Sequence, residues 1–366
     1  MKIASVTTKV ISMPGSSLGF SRPLGNVTRR HRSLDYVIAT VTSLDGSVGV
    51  GYAFTPGYGA EAIRAIVDND LSQLIVGQDP TDHEALWLRM WKGTNYFGRQ
   101  GAVLFGMCAV DVACWDLDAR RRGTPLWQLL GGTPEPIQTY VTFGFISLTV
   151  PELQQLAGRF AEEGFSRMKL MVGQPDIEDD LARVKAVREV VGDQVELVLD
   201  ANQAWPDLKT ALPRARRLAE LGIGWLEEPV PADDVRGLAE LRRRLDVPVA
   251  GGENAYTWLQ ARKFLEREAV DIFQPDIYRM GGLTEQLRVC RRVAEAGVRV
   301  SPHHVPELNV HVLSALSGDR LLEYLPFFQD PFLAERSPIE KGAATPSEAP
   351  GHGIRFAPAG DLPRCD

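Results

Sequence analysis

Cysteine is scarce in this chain, and what there is does not pair. Only Cys108, Cys114, Cys290 and Cys365 occur, with no CxxC spacing. That excludes a disulfide scaffold or a cysteine-rich metal knuckle and fits a reducing cytosol. No run of about 18 apolar residues occurs, so no membrane-spanning helix is expected. The N-terminus, "MKIASVTTKVISMPGS", alternates like a strand and lacks the apolar centre of a signal peptide. Nor is there a basic excess: the formal net charge is −7. Phosphate neutralisation needs positive charge, so nucleic acid is not an expected partner. No GxGxxG occurs, which removes the usual dinucleotide fingerprint. The expectation is a cytoplasmic, soluble protein that meets neither nucleic acid nor membrane. Its 366 residues are enough for two domains.

The chain has two grammars. Residues 1–125 read as strands and then helices. A strand "KIASVTTKVISM" precedes a hairpin, "SLDYVIATVTSLDGSVGVGYAF", turning at Asp45-Gly46. Helical patterns follow in "GAEAIRAIVDNDLSQLIVG", "HEALWLRMWKG" and "GAVLFGMCAVDVACWDLDARRRG". The last has arginines in its final turn and ends at Gly123, a helix-stop signal. This order predicts an α+β domain.

From about residue 136 strands and helices alternate. Candidate strands are 137–145, 166–172, 195–201, 223–228, 247–253, 272–276, 298–303 and 321–325. Eight strands with helical crossovers predict a TIM-like barrel over 126–335. The Pro- and Gly-rich segment 336–366 is expected to pack back on the first domain.

Three acids end successive apolar runs: Asp200 in "LVLDAN", Glu227 in "GWLEEP" and Glu253 in "VAGGEN". They lie 27 and then 26 residues apart. One strand, one helix and two loops take about 25–30 residues, so each acid falls at the same end of consecutive parallel strands. Strand C-termini converge on one barrel mouth. Three carboxylates there repel unless a cation lies between them, and hard oxygen donors suit Mg²⁺. Glu228 is expected to point away from Glu227, and Asn202 to share a side with Asp200. Asp276 and His303 end adjacent strands, an orienter and base pair. His304 is expected to face elsewhere. Glu323 ends the eighth strand, where a protonated acid could donate to a developing oxyanion. Lys169, inward on the second strand among apolar residues, needs a charged partner or a substrate carboxylate. Met171 shares its face. Arg29 and His31, within the basic run 29–32, and the loop residues Tyr58 and Tyr96 are candidate substrate contacts at the mouth.

Together these residues resemble the enolase superfamily, in particular its mandelate racemase subgroup. "AVDVACWDLDARRRGTPLWQLLGG" is similar to the helix joining that family's capping domain to its barrel. "GFSRMKLMVG", "LDANQAW", "WLEEP", "GGEN", "PDIYRMGGLTE" and "SPHH" are similar to its strand-end motifs. The resemblance implies an α/β fold, a (β/α)7β barrel with an N-terminal α+β capping domain completed by the C-terminal tail. It implies Asp200, Glu227 and Glu253 as Mg²⁺ ligands, Asp276 and His303 as a dyad, and Glu323 near the substrate carboxylate. It also implies α-proton abstraction from a small anionic hydroxy acid or acid sugar, giving an enediolate stabilised by the cation.

One departure narrows the chemistry. The subgroup commonly carries Lys-x-Lys on the second strand, whereas this chain reads Lys169-Leu170-Met171. A thioether removes no proton. Racemisation needs a base on each side of the α-carbon, so a one-base elimination of water by His303 is the leading expectation. The "DAN" segment also lacks the histidine of galactonate- and mannonate-type dehydratases. The alternatives are an isomerase or cycloisomerase using Lys169 and His303, and a silent anion-binding barrel. A homo-oligomer is expected, of a size that the sequence does not name.

Overall fold

The structure is a computed structural model, and it describes residues 1–18, 20, 23–28, 33–329, 332–335 and 339–357. Arg29 and His31 lie outside the described residues, as do Arg30, Arg32 and Cys365.

The N-terminal part is a three-stranded antiparallel sheet, β1 (Ile3–Pro14), β2 (Ser33–Ser43) and β3 (Val48–Thr55), in that order. Gly46 makes the β2–β3 turn with φ 85°, as the Asp-Gly signal requires. Helices follow at Ala60–Ile66, His83–Gly93 and Ala102–Arg122. The first pattern is not one regular helix: it passes through a π turn at Val67–Leu71 before Ser72–Ile75. Helix Ala102–Arg122 ends on Gly123 in the left-handed conformation, satisfying the last carbonyls.

That helix lies directly on β3. A Cβ added at Gly51 would sit 2.2 Å from the Ala109 carbonyl oxygen and 2.5 Å from the Ala113 nitrogen, both backbone atoms that cannot rotate away. Gly51→Ala should therefore destabilise the protein by about 1–3 kcal/mol or more through overpacking. Thermal unfolding measures this, and an unchanged midpoint would contradict the close approach.

Eight parallel strands form the second part. They are β4 (Ile137–Gly144), β5 (Arg167–Met171), β6 (Glu196–Asp200), β7 (Leu226–Glu227), β8 (Val249–Gly251), β9 (Ile272–Phe273), β10 (Arg299–Val300) and β11 (Leu322–Tyr324). Neighbours in sequence are neighbours in the sheet from β4 to β10. β11 pairs in parallel with β4, and Val300 bridges to Arg320, so the sheet returns on itself as a barrel. Tyr140, Val198, Trp225, Ala250, Ile272 and Leu321 fill its interior as a separate buried cluster. The ladders are shorter than the apolar runs. Glu253, Asp276 and His303 therefore lie just past the last ladder residues, where side chains can turn over the mouth.

The C-terminal segment reaches both parts. Gly351 exchanges backbone hydrogen bonds with Thr124 and Leu126. His352 is buried: its Nε2–H donates to the Val50 carbonyl and its Nδ1 accepts from the Ile354 N–H. His311, also buried, donates from Nε2 to the His352 carbonyl. Burial, then the neighbouring His352, lowers the His311 pKa to about 3, and burial likewise lowers that of His352. A histidine depressed on folding contributes stability fully above its unfolded pKa of about 6.5, and that stability is lost as pH falls toward the folded value. The His311 contribution should thus fall by on the order of 1.4 kcal/mol per pH unit below about pH 6. Urea unfolding of the parent and of His311→Phe across pH 7 to 4 isolates it, because the variant should lack that part of the slope. Parallel curves would refute this account.

Candidate active site

Lys169 organises the mouth of the barrel. It sits on β5 with 1% of its surface exposed. Its Nζ lies 2.9 Å from Glu227 Oε1, 2.8 Å from Glu323 Oε1 and 3.5 Å from Asp200 Oδ2. A buried ammonium is tolerated only with such partners, and here three strand ends supply them. Lys169 is level with Val198, one side-chain period before the level that Met171, Asp200 and Glu227 share on β5, β6 and β7, so its long side chain reaches forward to the acids.

The second group is the dyad. His303 Nδ1 lies 2.8 Å from Asp276 Oδ2, across an isolated parallel bridge between the two residues. Asp276 Oδ1 accepts the backbone N–H groups of Tyr278 and Arg279. Arg279 adds its guanidinium at 3.2 Å to Oδ2. Against burial, Arg279 and His303 bring the Asp276 pKa down to about 2. Asp276 is therefore a fixed carboxylate that orients the ring. His303 Nε2 is 3.4 Å from Glu253 Oε2. Burial favours the neutral ring, but Glu253 and the bond to Asp276 outweigh it and raise His303 to about 10. Neutralising Glu253 would remove the largest of those raising influences.

Three strand ends depart from simple alternation. Asn202 and Gln203 after β6, Glu228 after β7, and His304 and Val305 after β10 all have φ between 36° and 62°. Non-glycine residues rarely adopt this conformation, and for a β-branched valine it is a strained outlier. The consequences correct the expectation for His304. Glu228 keeps partners apart from those of Glu227: it is buried, both its oxygens accept from Asn254 Nδ2, and the same amide reaches Glu253 at 3.2 Å. His304 does not face elsewhere. It lines the cavity, its ring stacks on His303 at 5.5 Å, and its N–H donates to Glu323 Oε2. Asn202 does reach the cavity, but by a left-handed turn. Its N–H and Nδ2 both bond the Asp200 carboxylate, and its Oδ1 is buried without a hydrogen-bond partner.

Glu323 needs a further correction. Burial pushes its carboxyl up, but Lys169 and His303 prevail and hold it down at about 2. It is an ionised partner of Lys169, also accepting from Thr142 Oγ1 at 2.5 Å, and not a protonated donor. The aromatic expectations also change. Tyr58 is 71% exposed between Gly57 and Gly59, both with φ near 90°, which turn it outward. Tyr96 is fully exposed in the turn after helix His83–Gly93. Neither lines the cavity.

One cavity of about 150 Å³ contains Lys169, Met171, Asp200, Asn202, Glu253, Asp276, His303 and Glu323. Sequence reasoning missed Arg279, Tyr278, Thr142 and Asn26 among its walls. Arg279 could have been found from its place three residues after Asp276, since the turn there brings both to one side. Asn26 had no local signal.

The donor set suits a hard divalent cation. Asp200, Glu227, Glu228, Glu253, Asp276 and Glu323 are all buried carboxylates, while Lys169 and Arg279 are the permanent cations beside them. Burial and then Glu227 raise Asp200, and burial and then Glu253 raise Glu228, the signature of uncompensated negative charge. The orphaned Asn202 oxygen is one more hard donor. Among the described residues no three acidic, His or Cys side chains close on one point, because several carboxylates are drawn toward Lys169 and Asn254.

The fold and site define a capped-barrel enzyme whose mouth gathers carboxylates, one buried lysine and a His–Asp pair. Residues 20–131 match the mandelate racemase / muconate lactonizing enzyme N-terminal domain, and residues 152–360 the enolase C-terminal domain-like family. The chain belongs to the enolase superfamily, in its mandelate racemase / muconate lactonizing enzyme subgroup. It is 33% identical to a 3,6-anhydro-alpha-L-galactonate cycloisomerase of Streptomyces coelicolor, over 88% of this chain and 89% of that one. It is 32% identical to an L-talarate/galactarate dehydratase of Salmonella typhimurium, over 87% of this chain and 79% of that one. Among solved structures, a racemase from Streptomyces coelicolor with bound magnesium superposes with a TM-score of 0.91 at 31% identity, covering 97% of each chain. Both dehydratases and cycloisomerases are thus relatives. No helix among the described residues is long and apolar enough to cross a membrane.

Proposed function

We propose that this protein is a magnesium-dependent acid-sugar dehydratase with His303 as its single base. The observation that carries the reading is the pairing of an oriented His303, 2.8 Å from Asp276, with Met171 on the same cavity wall as Lys169. Asp200, Glu227 and Glu253 would hold the cation, with the Asn202 oxygen beside them. When bound, a divalent cation supplies Lewis-acid polarisation of the substrate carboxylate, which acidifies the α-proton.

This chain's own residues do the rest. With the Glu253 charge offset by a bound cation, the largest influence that keeps His303 protonated would be removed, and neutral His303 Nε2 would take the C2 proton while Asp276 holds the resulting imidazolium. The C2 electron pair moves into the carboxylate as the ene-diolate of the acid. His303 then returns that proton to the 3-hydroxyl, water leaves, and the enol tautomerises to a 2-keto-3-deoxy acid. Lys169 offsets charge near the substrate carboxylate through its contacts with Glu227 and Glu323. Its three carboxylate partners weigh against its acting as a second free base.

A cycloisomerase is the second reading, supported by the Streptomyces coelicolor relative. A screen of mono- and diacid sugars with Mg²⁺, followed by mass spectrometry, separates them. Elimination loses the mass of one water and gives a 2-keto product, whereas cycloisomerisation conserves mass. In D₂O the elimination should place deuterium at C3 with one stereochemistry and leave recovered substrate unepimerised. Epimer accumulating in recovered substrate would overturn the one-base reading.

A further inference from the structure

The cavity has two chemically different ends. One gathers Lys169, Asp200, Glu253, Asp276 and His303. The other is walled by Phe54, Pro56, Phe105, Leu325 and Phe328. This second wall is continuous. Phe54 stacks with Phe328 at 6.1 Å, and His304 lies 5.3 Å from Phe54 and 6.1 Å from Phe328, joining the aromatic surface to His303. Phe105 stacks on Tyr278 at 5.7 Å along the same side. The wall comes from three places in the chain: the end of β3, the helix Ala102–Arg122 and the segment after β11.

We infer that the site selects a 2,3-dihydroxy acid whose chain beyond C3 is apolar or sparsely hydroxylated, a deoxy or anhydro sugar acid, over a linear sugar diacid. The inference rests on the proposed reading for which end of the substrate meets the charged residues. A substrate anchored by its carboxylate and C2 at the charged end would lay its tail along a wall that is mostly aromatic and aliphatic, with Asn26 the neutral polar residue contributed by the N-terminal segment. No uncommitted cation among the described lining residues faces that wall, so a second carboxylate placed there would lose water without a charged partner from them. Among the described lining residues the lysine and the arginine are both committed, Lys169 to three carboxylates and Arg279 to Asp276 and Glu253. Hydroxyls on the tail would lose their water hydrogen bonds against ring carbons in the same way. A methyl or an ether ring face would instead bury apolar area there.

The test uses the full-length His303→Asn protein with saturating Mg²⁺, so that binding is read without turnover. Calorimetry would compare three probes with the same C2 and C3 configuration: a 2,3-dihydroxyhexanoate with an alkyl tail, the fully hydroxylated hexonate and the hexarate diacid. The alkyl-tailed acid should bind on the order of 10–100-fold more tightly than the hexonate, the range in which apolar pockets discriminate. The diacid should bind weakest. Phe328→Asn should shrink the alkyl preference by about tenfold. Equal or tighter binding of the diacid, or no binding of any probe, overturns the inference. Wild-type turnover separates this from the elimination reading. A correct binding order with no 2-keto product from any probe sinks the dehydratase and leaves the wall's selectivity standing. Preferred dehydration of the diacid does the reverse.

Discussion

His303→Asn should lower kcat by about 10²–10⁴-fold, the range a positioned general base supplies. The substitution keeps the polar rim, and Asn can still bond Asp276 Oδ2, so the fold and metal affinity should stay near the parent's. The stringent form of the experiment measures three quantities on one sample: turnover, Mg²⁺ binding and unfolding midpoint. Loss of turnover with the other two preserved assigns the chemistry to His303. Turnover surviving within a factor of a few would move the base elsewhere, and Lys169 would then need re-examination with Met171 beside it. Asp276→Asn should act in the same direction through orientation, because Asp276 touches the ring at Nδ1 and nothing else in the dyad does.

Lys169→Met should produce the largest effect on stability. The methylene stem is retained in volume, but the ammonium that Glu227, Glu323 and Asp200 share is removed. Breaking a buried charge cluster by deleting one partner costs about 3–5 kcal/mol, because the remaining charges stay buried and unpaired. A divalent cation should bind the variant more tightly than the parent, because it would supply positive charge to carboxylates left without the ammonium, and a hundredfold excess over Kd adds about 2.7 kcal/mol. The measurement is the denaturant midpoint of both proteins with Mg²⁺ and with chelator. Expected is a deep deficit in chelator that narrows with Mg²⁺. Equal midpoints in chelator would mean that Lys169 is not the charge partner the geometry makes it.

The local pattern carried the fold a long way. The interval between Asp200, Glu227 and Glu253 placed them at successive strand ends, and β6, β7 and the loop after β8 hold them there. That inference worked because one strand plus one helix has a nearly fixed length. The Asp45-Gly46 turn and the Gly123 helix stop were legible for a similar reason: each is a local conformational demand that few residues meet. Alternation failed only where the strands end. His304 takes left-handed backbone, and the two-residue period that was to turn it away no longer applies. Tyr58 and Tyr96 were chosen as loop aromatics, but loop position does not say which way a loop turns.

Glu323 shows a different limit. Its residue type and strand end were readable, but its charge was not. Whether a buried acid keeps its proton depends on what lies within a few ångströms, and Lys169 is 154 positions away in the chain. The same holds for the aromatic wall, where Phe54, Phe105 and Phe328 meet from distant segments. The sequence alone determined the order of elements, the acids and histidine brought to the barrel mouth, and the thioether where a lysine is usual, because these depend on residue identity and short-range period. Only the tertiary structure decided which carboxylates share the lysine, which strand-end neighbours turn inward and what faces the substrate's tail. Those depend on distances between residues far apart in the chain, which local periodicity does not encode.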